Sequence, residues 1–248
     1  CIRDRNICQK YLKKFKFILT NDQIKAMKEI NNDLKSKQRM FRLLQGDVGS
    51  GKTIIALIAA LNVIKSGFQV ALMVPTEILA KQHYNFASDL FGKDISIELL
   101  TGKTEYKQKK STLENIKQNK IKLIIGTHAL FQKKVDYKNL GLIIIDEQHK
   151  FGVRQRKELS DKGGNNCDVL VMSATPIPRT MIMTIYGDMD VTLIKEKPKN
   201  RKAINTYSKL ETKVDEIIKF CKKEISFGNQ IFWVCLLYTS DAADDDHC

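Results

Sequence analysis

Two clusters of residues in this chain have the types and spacing to handle phosphate. The first is Gly46-Asp47-Val48-Gly49-Ser50-Gly51-Lys52-Thr53, a G-x-x-x-x-G-K-T run. An apolar stretch, Met40 to Leu44, precedes it and a helical pattern, Ile54 to Ile64, follows. That strand, glycine loop and helix order is what a phosphate cradle requires. Gly46, Gly49 and Gly51 lack a Cβ, so the backbone can curl and bring its N–H groups close to phosphate oxygens. The open amides and dipole of the following helix favour negative charge at its first turn. Lys52 then reaches the β- and γ-phosphates as a point charge, and the Thr53 hydroxyl can hold Mg²⁺. The second cluster is Asp146-Glu147, directly after the apolar run Leu142 to Ile145. Asp146 can complete the Mg²⁺ site begun by Thr53. Glu147 can orient and activate an attacking water as general base. The chemistry implied is hydrolysis of the γ-phosphate of a nucleoside triphosphate.

These loops need elements to hold them. Short apolar runs recur along the chain: Phe68 to Val74, Ile95 to Leu100, Leu123 to Ile125, Leu142 to Ile145 and Val169 to Met172. They alternate with helical patterns, which predicts an α/β domain with a parallel sheet and helices on both faces. Every polar motif follows a strand directly, so all of them belong on the carboxyl edge of the sheet. Thr20 is placed to cap a helix that carries Ile24, Met27 and Ile30 on one face. Gln23, in the first turn of that helix, can read an adenine edge through its paired donor and acceptor, or be an ordinary surface residue. Gly67 is placed to end the helix after the phosphate loop. Ile78 to Leu90 reads as a helix with Leu79, Tyr84, Phe86 and Leu90 apolar, and the basic stretch Lys103 to Lys122 as a solvated helix rather than a DNA contact.

A net charge of +14 suggests a polyanionic partner, although Lys-heavy usage weakens that inference. The six cysteines form no C-x-x-C pair, which argues against zinc and for a reducing, cytoplasmic setting. No apolar run is long enough to span a membrane.

The order of the motifs resembles superfamily 2 helicases of the DExH type, and the longer strings resemble the RecG family of bacterial ATP-dependent DNA helicases. Phe17-x-Leu19-Thr20 with Gln23 is similar to the Q motif. Pro75-Thr76-Glu77-Ile78-Leu79-Ala80 and Leu99-Leu100-Thr101-Gly102 are similar to motifs Ia and Ib. Asp146-Glu147-Gln148-His149 is similar to motif II, and Ser173-Ala174-Thr175 to motif III. Gly126-Thr127-His128-Ala129-Leu130-Phe131-Gln132 and Ala174-Thr175-Pro176-Ile177-Pro178-Arg179-Thr180 carry the RecG likeness further. The transcription-repair coupling factors share part of these strings. The resemblance implies a RecA-like fold, ATP and Mg²⁺ as cofactors, and branched DNA as partner of a motor that remodels forks and Holliday junctions; the oligomeric state expected is a monomer. Pro75, Thr76, Thr101, Gly102, Thr127 and His128 would lie along the DNA, gripping its backbone without reading bases. His149 with Ser173, Ala174 and Thr175 would couple nucleotide state to the rest of the motor.

The expected layout is an N-terminal segment at 1–16, a RecA-like domain at 17–194, a linker at 195–202 and the start of a second RecA-like domain at 203–235. Within that last part, Ile204 to Tyr207 and Gln230 to Cys235 read as strands and Thr212 to Ile225 as a helix. Residues 236–248 leave the family pattern at Leu236 and read as foreign coding sequence. No Arg follows Arg201 to serve as an arginine finger, a group worth about 10³ to 10⁵ in rate. The chain is therefore expected to bind ATP and DNA with little turnover alone. A non-catalytic, nucleotide-responsive DNA-binding module is the alternative, with RNA remodelling a weaker third reading.

Overall fold

The computed structural model describes residues 11, 18–132, 134–146, 167–175, 189–196 and 204–234. Seven strands form one sheet: β1 (Phe41–Gly46), β2 (Gln69–Met73), β3 (Ile97–Leu100), β4 (Leu123–Gly126), β5 (Leu140–Asp146), β6 (Asp168–Ser173) and β7 (Asp190–Ile194). Their order across the sheet is β3-β4-β2-β5-β6-β1-β7, and every pairing is parallel. The helices of this part are α1 (Asn21–Asp33), α2 (Lys52–Lys65), α3 (Glu77–Phe91) and α4 (Tyr106–Lys117). This is the expected RecA-like α/β architecture.

The strands divide their side chains between two apolar cores, one on each face. Leu44, Leu72, Ile144 and Met172 face α1, α2 and α3. Leu43, Ala71, Ile143 and Val171 face the opposite core, with Ile116 of α4. Both faces of each central strand are thus dry, which is why these strands read as continuous apolar runs rather than alternating ones. Gly126 shows how closely the parallel strands approach: a Cβ there would stand 1.9 Å from the carbonyl oxygen of Leu100. Tyr11, ahead of the start expected for the domain, is also buried in the first core, edge-on to Phe91 at 5.5 Å.

The structure corrects several sequence expectations. β7 is a seventh strand that the pattern did not reveal, because as an edge strand it buries only Thr192 and Ile194. In α1 the buried face is Gln23, Ala26 and Ile30, while Ile24 is exposed. A capping box sets that phase: Thr20 Oγ1 accepts from Gln23 N–H, and Gln23 Oε1 accepts from Thr20 N–H. In α3 the buried stripe is Ala80, His83, Ala87, Leu90 and Phe91, and Leu79, Tyr84 and Phe86 are only partly covered.

Residues 202–248 form a second unit. Its helix α5 (Val214–Ser226) matches expectation, but Ile204 to Tyr207 and Gln230 to Val234 form no strands. Strands need a neighbour to take their backbone hydrogen bonds, and the described residues of this unit supply none. Phe220, Phe232 and Val234 accordingly stand exposed. Cys235 and the tail at 236–248 lie outside the described residues.

Asp22, in the first turn of α1, accepts hydrogen bonds from the backbone N–H groups of Glu196 and Lys195, just after β7. Those donors hold its carboxyl below the usual carboxylate range. A depressed folded-state value contributes stability that is present above the unfolded value, about pH 4, and lost as pH falls through the folded one. Asp22→Asn is expected to lower thermal stability slightly at pH 7 and to flatten the acid limb of the stability curve below about pH 4.

Candidate functional site

The glycine loop leaves β1 at Gly46 and enters α2 at Lys52. Gly49 and Gly51 have φ of 76° and 90°, the left-handed region that a side chain resists. Gly51 is also the N-cap of α2, and no side chain caps that helix. By contrast, Thr20 caps α1 and Thr76 caps α3. No side chain competes with a ligand for the first turn of α2, and no acidic residue sits there to oppose an anion. Ser50 Oγ is buried at the loop with no hydrogen-bond partner among the described residues. Lys52, 9% exposed, donates from Nζ to the carbonyl oxygens of Gly46 at 2.6 Å and Asp47 at 3.1 Å. Its ammonium is held at the loop by its own backbone, a weaker partner than a phosphate oxygen. Asp47 and Val48 are exposed, and Asp47 Oδ1 accepts from Val48 N–H. Thr53 is partly exposed at the first turn of α2. A helix start with no side-chain cap, a buried hydroxyl and a cation at a glycine loop together suit a polyphosphate.

Gln23 is not an ordinary surface residue. It is 2% exposed, and its Nε2 donates to Ser50 O at 2.7 Å. With Oε1 on Thr20 N–H, both ends of the amide are committed, one to α1 and one to the phosphate loop. A Cβ on Gly51 would come within 2.4 Å of Nε2, so the glycine is required twice, for its φ and for this seat.

Asp146 ends β5, two strands from β1 across β6. Its Oδ2 accepts from His83 Nε2 of α3 at 2.9 Å. Both groups are largely covered, with side-chain exposures of 10% for His83 and 13% for Asp146. Sequence reasoning missed His83, yet a signal was present: it lies on the same helical stripe as Ala80, Ala87 and Leu90. A histidine at the centre of a buried stripe needs a polar partner. Glu147, Gln148 and His149 lie outside the described residues.

Between β1 and β5, the end of β6 carries Ser173, Ala174 and Thr175. Ser173 Oγ lies 3.0 Å from Thr175 Oγ1 and accepts from Thr175 N–H at 3.2 Å. The carbonyl of Thr175 accepts from Gln45 Nε2 at 3.1 Å, which fastens this turn to the residue before Gly46. Gln45 is a second residue that the motifs did not flag.

The remaining candidates follow the adjacent strands β2, β3 and β4. Pro75 is partly exposed, and Thr76 is exposed with Oγ1 accepting from Leu79 N–H at 3.3 Å. Thr101 is buried, its N–H donating to Thr104 Oγ1, and Gly102 is exposed. Thr127 is buried and His128 exposed. The edge is thus partitioned: loops of β1, β5 and β6 form one half, and loops of β2, β3 and β4 the other.

Residues 20–184 match the DEAD/DEAH box helicase family. The chain belongs to that family. Within it, the chain is 50% identical over 232 residues to the ATP-dependent DNA helicase RecG of Aquifex aeolicus, covering 92% of this chain and 29% of the relative. It is 49% identical over 237 residues to RecG of Bacillus subtilis, covering 95% of this chain and 35% of that protein. The chain therefore spans about a third of the length of the curated relatives it matches. Among solved structures, RecG bound to a three-way DNA junction superposes with a TM-score of 0.85 at 42% identity, over 98% of this chain and 33% of that one. The DEAD-box helicase Mss116, bound to ssRNA and UDP-BeF, superposes with a TM-score of 0.64 at 18% identity over 91% of this chain and 51% of that one, which shows the shared helicase fold. The RecG likeness read from the motifs is matched by these relatives.

Gly67, at the end of α2, has a φ of 94° and open space where a Cβ would go, so it serves as a control for Gly51. Both Gly→Ala changes carry the left-handed backbone cost of about 1–2 kcal/mol. Gly51→Ala is expected to cost about 1 kcal/mol more, because the Gln23 bond to Ser50 must break. Urea denaturation of the two variants checks this, and equal losses would contradict the Gln23 seat.

Proposed function

We propose that this chain is the nucleotide-binding motor segment of a RecG-type, ATP-dependent DNA helicase acting on branched DNA. The observation that carries the reading is the uncapped start of α2, with Lys52 beside it, on the same sheet edge as Asp146. The relatives named RecG support ATP dependence and DNA as the substrate class, and the junction-bound RecG supports a branched form.

In this reading the amides of Gly46 to Thr53 hold the phosphates, and Lys52 moves from the loop carbonyls to the β- and γ-oxygens. Gln23 sits beside the loop through Ser50 and contributes its remaining amide proton to the base. Thr53 and Asp146 would hold Mg²⁺, which would supply positive charge against the phosphates. Glu147 takes a proton from the attacking water, and His149 with Ser173, Ala174 and Thr175 relays the state of the site. On the other half of the edge, Pro75, Thr76, Thr101, Gly102, Thr127 and His128 grip the DNA backbone, a contact that weakens steeply with salt. No helix among the described residues is long and apolar enough to cross a membrane. We place the protein in the cytoplasm, as a monomer.

Titration with a fluorescent ATP analogue tests the central assignment. Lys52→Ala is expected to weaken binding about 10- to 100-fold, the worth of a charge-assisted hydrogen bond. Unchanged affinity would overturn the assignment. DNA-dependent phosphate release by this chain alone is expected to be small, and robust release that Lys52→Ala abolishes would contradict the expectation of little turnover.

A further inference from the structure

His83 is a buried imidazole on an otherwise apolar helix stripe, and the motifs give it no task. Its one hydrogen-bond partner among the described residues is the carboxylate of Asp146, which accepts and so fixes the proton on Nε2. Oδ2 of Asp146 is engaged in that bond, and Oδ1 accepts no hydrogen bond from the described residues. A carboxylate with one oxygen pinned and the other open has its rotation about χ2 restricted, with a single oxygen left to present.

The helix that carries His83 has a second end of interest. Thr76 caps α3 at the half of the edge formed by β2, β3 and β4. His83 lies seven positions after Thr76, roughly 10 Å along the axis. Glu77, the first residue of α3, also accepts from Lys103 N–H after β3, at 3.2 Å. The same rigid element is therefore fastened to two loops of one half of the edge and to the terminal carboxylate of the other.

We propose that His83 is a positioning residue for Asp146: it orients the carboxylate so that Oδ1 meets the Mg²⁺ of a bound nucleotide, and it ties that orientation to α3. The inference rests on the assignment of Asp146 to the metal. Groups that orient metal ligands from behind typically change metal affinity about 10- to 100-fold when removed. No turnover is required to see this.

The test is the Mg²⁺ dependence of fluorescent ADP binding to the full chain, measured for the parent protein, His83→Ala, His83→Gln and Asp146→Asn, with EDTA as the metal-free reference. For His83→Ala, the Mg²⁺ concentration giving half of the affinity gain is expected to rise about tenfold. Its affinity in EDTA is expected to stay at the parent value. His83→Gln, whose amide can still donate to Oδ2, is expected to recover most of the loss, and Asp146→Asn to abolish the Mg²⁺ effect. Mn²⁺ titration by electron paramagnetic resonance should give the same ranking. If Asp146→Asn shifts the Mg²⁺ curve and His83→Ala does not, the positioning role is wrong while the metal assignment stands. If Asp146→Asn leaves the curve unmoved, the metal assignment fails and the proposal falls with it. Equal losses in EDTA and Mg²⁺ for both His83 variants would reduce His83 to a structural residue and overturn the proposal.

Discussion

Parallel pairing of β1 between β6 and β7 is the constraint on which the rest of this protein depends. Parallel strands all point their carboxyl ends the same way, so seven separate stretches of sequence deliver their polar residues to one edge. The register Gln45 with Ser173 and Gly46 with Ile194 places the start of the phosphate loop level with the turn after β6. An antiparallel partner would send one of these loops to the far end of the sheet. The dry cores on both faces make that register costly to change, because a slip by one residue would exchange the side chains of the two faces.

Several polar side chains that penetrate this apolar framework are tied to the edge or to the element that supports it. Gln23 joins α1 to the phosphate loop, and Gln45 joins β1 to the turn after β6. Arg42, 8% exposed, donates to Asp33 of α1 and to Thr192 of β7, which in turn donates to Glu29 of α1. That cluster seats the helix carrying Gln23 against the sheet. His83 does for Asp146 what Gln23 does for Ser50. Each such group is too costly to bury without a partner, so the framework fixes the geometry of the loops through hydrogen bonds that have no alternative in water-free surroundings.

How much of this was legible in the sequence follows from which forces are local. The glycine loop, the Thr20 cap and the strand runs were readable, since backbone conformation and burial on both faces leave direct marks on residue type. β7 was not, because an edge strand with two buried residues lacks a continuous apolar run. The buried face of α1 was misread because Gln23 turns inward to meet Ser50, a partner 27 residues away in sequence. The strands expected at Ile204 to Tyr207 and Gln230 to Cys235 had the right composition, but β structure requires a neighbour, which composition cannot show. His83 and Gln45 escaped for a related reason: a buried polar residue is defined by its partner, and both partners are distant in the chain. Glu147 and His149 rest on sequence alone.

The central claim is that Gly46 to Thr53 and Asp146 together hold a metal–nucleotide complex. A crystal structure of this chain with a non-hydrolysable ATP analogue and Mn²⁺ measures it most directly, through the anomalous signal of the metal. The account predicts a Mn²⁺ peak within coordination distance of Thr53 Oγ1 and within one water of Asp146, with Lys52 Nζ moved off the Gly46 carbonyl onto phosphate. Mn²⁺ remote from both side chains, or Lys52 still bound to Gly46 O with nucleotide present, would contradict it.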